Sequence, residues 1–194
     1  MSRFKLKLRS CRGFTFIELL IALGLTSIIT FAALQFYTSL NQQSISQQEM
    51  ADIQQVNRAC LEEISTALRS AGYGLSTHPA YEVAGDSLFV YLQKDHPVDT
   101  IAYFLEEFTS DEYLELMGEN TSATSVYKLM RKMNSDTAQV FADYLTDMRI
   151  TVINSKLVAV TLETQSSRPD DTYPQNNGYR RFTNTDRVVI RNIF

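Results

Sequence analysis

The sequence predicts an α+β protein: one long N-terminal helix, membrane-spanning and then amphipathic, packed on a C-terminal antiparallel β-rich domain. Three observations carry this expectation. From Phe14 onward come about twenty mostly apolar residues, enough to cross a hydrocarbon layer of ~30 Å as one helix. Gln35 to Ala71 contains neither Gly nor Pro, and its apolar residues recur at steps of three and four. From Leu75 the chain turns to short β-rich runs separated by turn-forming stretches.

The first thirteen residues hold Arg3, Lys5, Lys7, Arg9 and Arg12 and no acid. The formal charge of −4 for 194 residues therefore hides an asymmetry. Without residues 1–13, 13 basic side chains face 22 acidic ones, a net −9. Basic residues concentrated before an apolar span place the N-terminus in the cytoplasm and the remainder outside it. A domain this acidic is a poor general nucleic-acid binder, because phosphate contacts need a basic footprint. Of the two cysteines, Cys11 lies in the basic segment and Cys60 on an apolar helical face. A small buried thiol is the reading there. If residues 1–13 are removed as a leader, no intramolecular disulfide is possible, and the fold must rely on its core.

One charge interrupts the apolar run: Glu18, a turn in from its edge. An ionisable group in such a segment costs roughly 2.5–3.5 kcal/mol on insertion scales and marks function by default. No small-residue cleavage site follows the run, as an ordinary secretory signal would require. Beyond it, Ile53, Val56, Cys60, Ile64, Leu68 and Ala71 form an amphipathic stripe. Gln54, Gln55, Arg58, Glu62 and Arg69 line the opposite face, and Gly72 and Gly74 end the helix. A helix from Phe14 to Ala71 would be roughly 87 Å long.

Ser87–Leu92 and Thr100–Leu105 read as a hairpin-like pair of strands around a polar stretch, Gln93–Asp99. Glu106–Glu119 carries six acids and reads as a solvated acidic face, with a cation-binding loop as the alternative. Val126–Met133 reads as a strand and Ala138–Leu145 as a turn or short helix. Met148–Ile153 and Leu157–Thr164 are strands about a turn at Asn154–Lys156. Residues 165–185 read as a long polar loop, and Asp186–Asn192 as a last strand or tail.

The run Gly13-Phe14-Thr15-Phe16-Ile17-Glu18 resembles the processing site of type IV prepilins and pseudopilins. The resemblance implies that a membrane-embedded prepilin peptidase cuts between Gly13 and Phe14 and methylates the new Phe14 amine. It makes Glu18 the fifth residue of the mature chain, acting in assembly. The implied division is 1–13 leader, 14–37 transmembrane and polymerisation half of the helix, 38–74 amphipathic half, and 75–194 globular domain. The two-part helix is similar to that of type IV pilins, many of which have a proline where this chain has Gln35. Leu68-Arg-Ser-Ala-Gly72, Leu157–Leu162, Arg181-Phe182 and Val189–Asn192 look like PilW-type minor pilins and the J-type pseudopilins of type II secretion.

Taken together, the chain reads as a minor pilin of a type IV pilus, priming assembly and located at or near the tip. The alternatives are a J-like type II secretion pseudopilin and a tip-located adhesin or DNA-binding module. The implied partners are the prepilin peptidase, other minor and major pilins through helix packing, the inner-membrane assembly platform, and lipid before assembly. The implied place is the inner membrane, N-terminus cytoplasmic and globular domain periplasmic, and then the filament.

No enzyme signature accompanies this pattern. His78 and His96 each precede a proline, with no second ligand at i+3 or i+4. Neither a nucleophile elbow nor a phosphate-binding loop occurs. Asp170-Asp171 lies in a Pro/Asn-rich loop and reads as solvent-facing. No cofactor or metal is expected.

Overall fold

A computed structural model describes residues 14–94, 98–109, 125–170 and 173–192. One helix, α1 (Phe16–Ser70), precedes seven strands: β1 (Tyr81–Ala84), β2 (Ser87–Leu92), β3 (Asp99–Glu107), β4 (Tyr127–Met133), β5 (Gln139–Asn154), β6 (Leu157–Gln165) and β7 (Arg181–Val189). They form one sheet in sequence order, every neighbouring pair antiparallel. The chain divides into two compact units between Ile45 and Ser46. α1 is unbroken through Gln35. Gly72 and Gly74 follow it with φ of 78° and 74°, the left-handed conformation that ends helices at glycine.

Within the second unit the sheet curls around the last turns of α1. Ile64, Leu68 and Ala71 share one core with Leu88 and Val90 of β2, Tyr103 of β3, Leu129 of β4, Leu145 and Met148 of β5, Leu162 of β6 and Val188 of β7. Both sides of the sheet meet the helix end. The Gly72 N–H donates to the Tyr91 carbonyl on β2 at 2.7 Å. From the tail after β7, Asn192 Nδ2 donates to the Ala71 carbonyl at 3.3 Å. A Cβ on Gly72 would lie 2.1 Å from the Asn192 carbonyl oxygen. The closure needs a glycine on both steric and conformational grounds.

The stripe read from the sequence needs one correction. Val56 is 38% exposed, whereas its neighbour Asn57 is fully buried. Asn57 Nδ2 donates to the Leu162 carbonyl at 3.0 Å and to Thr164 Oγ1 at 3.3 Å. Its carboxamide thus reaches β6 through the donor side, while its Oδ1 is buried without a hydrogen-bond partner among the described residues. Further polar contacts flank the apolar face. Tyr103 Oη donates to Glu63 at 3.1 Å, Arg131 pairs with Glu63 at 3.2 Å, and Ser65 donates to Asp186.

Three other expectations change. Ala138–Leu145, read as a turn or short helix, is from Gln139 onward the first half of β5. A bulge there, with Tyr144 at φ 62°, breaks the alternation that identifies a strand. The loop expected over 165–185 closes earlier, because Arg181–Thr185 already pairs with Thr161–Gln165. β1 has no counterpart in the sequence pattern. It forms a hairpin with β2 through Gly85-Asp86, where Gly85 has φ 60°, a turn type that favours glycine.

Gly72→Ala is expected to lower stability by about 3 kcal/mol or more, combining left-handed strain with a backbone clash. Gly85→Ala, where the added Cβ meets nothing within 4 Å, should cost only about 1 kcal/mol. Thermal unfolding of the two variants checks the difference.

Candidate functional site

The helix starts at a built cap. The Thr15 carbonyl accepts from the N–H groups of Glu18 and Leu19 at 3.1 and 3.2 Å. Thr15 Oγ1 accepts from the Glu18 N–H at 3.4 Å. Thr15 and Glu18 hold the spacing of a capping box, and a carboxylate in the first turn sits favourably against the helix dipole. Phe14 lies just before this turn and is 82% exposed. Glu18 is exposed as well. Gly13 and residues 1–12 lie outside the described residues.

Every residue from Phe14 to Ile45 is exposed. An 18-residue window of this helix has a mean hydropathy of 2.2, long and apolar enough to cross a membrane. Exposed apolar surface on this scale needs lipid or protein to cover it. The hydroxyls are already prepared for such surroundings. Thr26 Oγ1 donates to the Ala22 carbonyl at 2.7 Å, Ser27 Oγ to Leu23 at 2.8 Å, and Thr30 Oγ1 to Thr26 at 2.8 Å. A donor satisfied inside its own helix carries no desolvation penalty into hydrocarbon. This internal satisfaction was not anticipated from the sequence, although Ser or Thr four residues after any carbonyl is its signal.

The remaining candidates lie apart from this segment. His78 stacks at a tilt on Tyr91, ring centroids 4.7 Å apart, and His96 lies outside the described residues. Asp170 is not solvent-facing as expected. Its side chain is 16% exposed and takes Arg180 Nε and Nη2 at 3.0 and 2.8 Å and the Ser46 hydroxyl at 2.9 Å. Asp171 lies outside the described residues. So does most of the acidic stretch, although Glu106 and Glu107 are on β3. Among the described residues no group of three or more His, Cys, Asp or Glu side chains is placed to hold a metal ion.

Cys60 is buried and free, and burial pushes its thiol from 9.0 up to about 12. Tyr103 is raised too, first by burial and then by Glu63.

Compared with known proteins, residues 8–34 match the family model described as the prokaryotic N-terminal methylation motif. No curated protein and no solved structure matches the chain. The motif supports the type IV pilin family, whose members are structural rather than catalytic. It implies processing by prepilin peptidase and assembly with other pilins, and with the apolar helix it fits membrane anchoring followed by entry into a filament.

Because both raised groups hold their protons in the folded state and release them earlier when unfolded, stability is full below about pH 9 and falls as pH rises toward 12. Alkylation of Cys60 at pH 8 should proceed only with unfolding, and mass spectrometry across a denaturant series checks it. Rapid labelling of the folded protein would contradict the assigned burial.

Proposed function

We propose that this chain is a minor pilin, a low-copy subunit that helps prime a type IV pilus and resides at or near its tip. One observation carries the reading. Most of the segment matching the methylation motif is helix, nearly all apolar from Phe16 to Leu34, and every residue from Phe14 to Ile45 is exposed. Such a surface suits lipid first and neighbouring helices afterwards.

The precursor sits in the inner membrane with its basic leader in the cytoplasm and its globular domain in the periplasm. Prepilin peptidase cuts after Gly13 and methylates the Phe14 amine. The charged amine and the Glu18 carboxylate then stand about one turn apart, each unfavourable alone in hydrocarbon. Packing beside another helix lets the Glu18 carboxylate meet an amine of a chain already in place. Pairing relieves both charges at once and sets the axial register. The assembly platform and the other minor and major pilins are the proposed partners in this step.

The short motifs that resemble PilW-type minor pilins support the finer assignment by where they fall. Leu68–Gly72 ends α1, Val189–Asn192 supplies the tail bonded to Ala71, and Leu157–Leu162 pairs with β7. Segments distant in sequence thus build one closure. The same motifs suit a J-type pseudopilin of a type II secretion system. A gene cluster with a secretin and exported enzymes favours that reading, and one with a retraction ATPase favours the pilus.

Glu18→Ala is expected to leave the protein in the membrane and to remove most of it from filaments sheared off the cell surface. Glu18→Asp, which keeps a carboxylate, should retain part of the incorporation. Equal recovery of the alanine variant would sink the pairing mechanism.

A further inference from the structure

We propose that the edge of β5 from Asp147 to Asn154 receives an extended strand from a neighbouring subunit. That strand would place a carboxylate against Arg149 and β-branched side chains against Val152 and Ile153. The inference deepens the reading above, since it takes the neighbour to be another filament subunit.

The sheet is staggered at this point. β4 starts at Tyr127, opposite Leu145, whereas β5 runs nine residues further, to Asn154. Over this stretch β5 pairs with β6 on one side. On the other side no described strand reaches it. A row of backbone donors and acceptors without a partner strand among the described residues is a template for another strand.

The other edges are closed to strand addition in the usual ways. β1 has only four residues. β7 has nine, but its Thr185 N–H donates to Asn184 Oδ1 at 2.9 Å and its Arg187 N–H to Asp186 Oδ1 at 2.8 Å. Side chains thus occupy donors that a further strand would need. Between Met148 and Ile153 no such cap occurs among the described residues. Apolar side chains stay exposed there instead, Val152 at 48% and Ile153 at 49%. Natural edges avoid this combination unless they are covered in use.

Charge narrows the occupant. Arg149 pairs with Asp147 at 2.9 Å, yet its side chain remains 71% exposed. Lys156 adds a second exposed cation at the hairpin turn, on a chain whose sequence after residue 13 is net −9. A strand with Asp or Glu opposite Arg149 complements this basic arm, and a basic strand does not. Backbone pairing supplies affinity, and the alternating side chains supply the choice of partner.

The test places a photoreactive side chain at Arg149, Thr151 or Ile153 in turn, in cells assembling the filament, with Thr185 on β7 as control. Supporting the inference, adducts fall on one partner segment and move two residues along it for each two-residue step. The partner carries Asp or Glu opposite position 149, and Val152→Lys with Ile153→Lys loses the adducts without a change in melting temperature. Adducts on one partner residue from all three positions, adducts within the chain itself, equal adducts from Thr185, or adducts kept by the double-lysine variant would each overturn it. No adducts with a processed Phe14 terminus overturns the inference alone. An unprocessed terminus overturns the functional reading and the inference with it.

Discussion

A helix that is apolar along one side must bury that side, and from Ile53 onward this requirement shapes the second unit of the chain. A flat sheet of seven strands is wider than a helix, so most of its strands would have nothing to cover. Here the sheet curls instead, and residues of β2 through β7 share one core with Ile64, Leu68 and Ala71. The curl ends where β2 and the tail after β7 both bond the helix end, at Gly72 and Ala71. Only glycine fits there, for it must take φ 78° while the Asn192 carbonyl occupies the place of a Cβ. Polar groups refine the fit. Asn57 reaches the Leu162 carbonyl and Thr164, and Ser65 reaches Asp186. These bonds hold at one helix–sheet register, which apolar contacts alone leave free to slide.

How much of this was legible in the sequence depended on where each residue's partner lies. β2 is Ser87–Leu92 as read, and β6 was found within a residue, because both alternate cleanly and end at turn residues. β7 was read only from Asp186, because an edge strand written Arg-Phe-Thr-Asn-Thr-Asp has little apolar alternation. Its hydrogen bonds to β6 come from tertiary pairing, which local pattern does not report. β5 lost its first half to a bulge. Hydrophobicity ranks Val56 above Asn57, so the local pattern points to the wrong one of the two. The carbonyl that accepts from the Asn57 Nδ2 lies 105 residues away on Leu162. Asp170 likewise depends on Arg180, ten residues on in its own loop, and on Ser46, 124 residues away on α1.

The N-terminal segment differs in kind. In the proposed reading a peptidase and a lipid bilayer recognise a short motif and a run of side chains, so its signal is written in consecutive residues. The Gly-Phe junction, the carboxylate four residues on and the apolar run are all local, and residues 8–34 match the methylation motif without reference to the globular unit. The structure adds what the pattern omits. Thr15 caps the helix at Glu18, and Thr26, Ser27 and Thr30 return their hydroxyls to their own helix. Such a segment suits both lipid and the apolar faces of other helices, the two surroundings that the proposed function requires.

The central claim is that the mature chain begins at Phe14 with a modified amine, and intact mass measurement of the protein purified from its own membranes tests it most directly. The account predicts a mass equal to residues 14–194 plus one methyl group. A mass retaining Met1 and the leader, or one corresponding to cleavage after the apolar run, would contradict it.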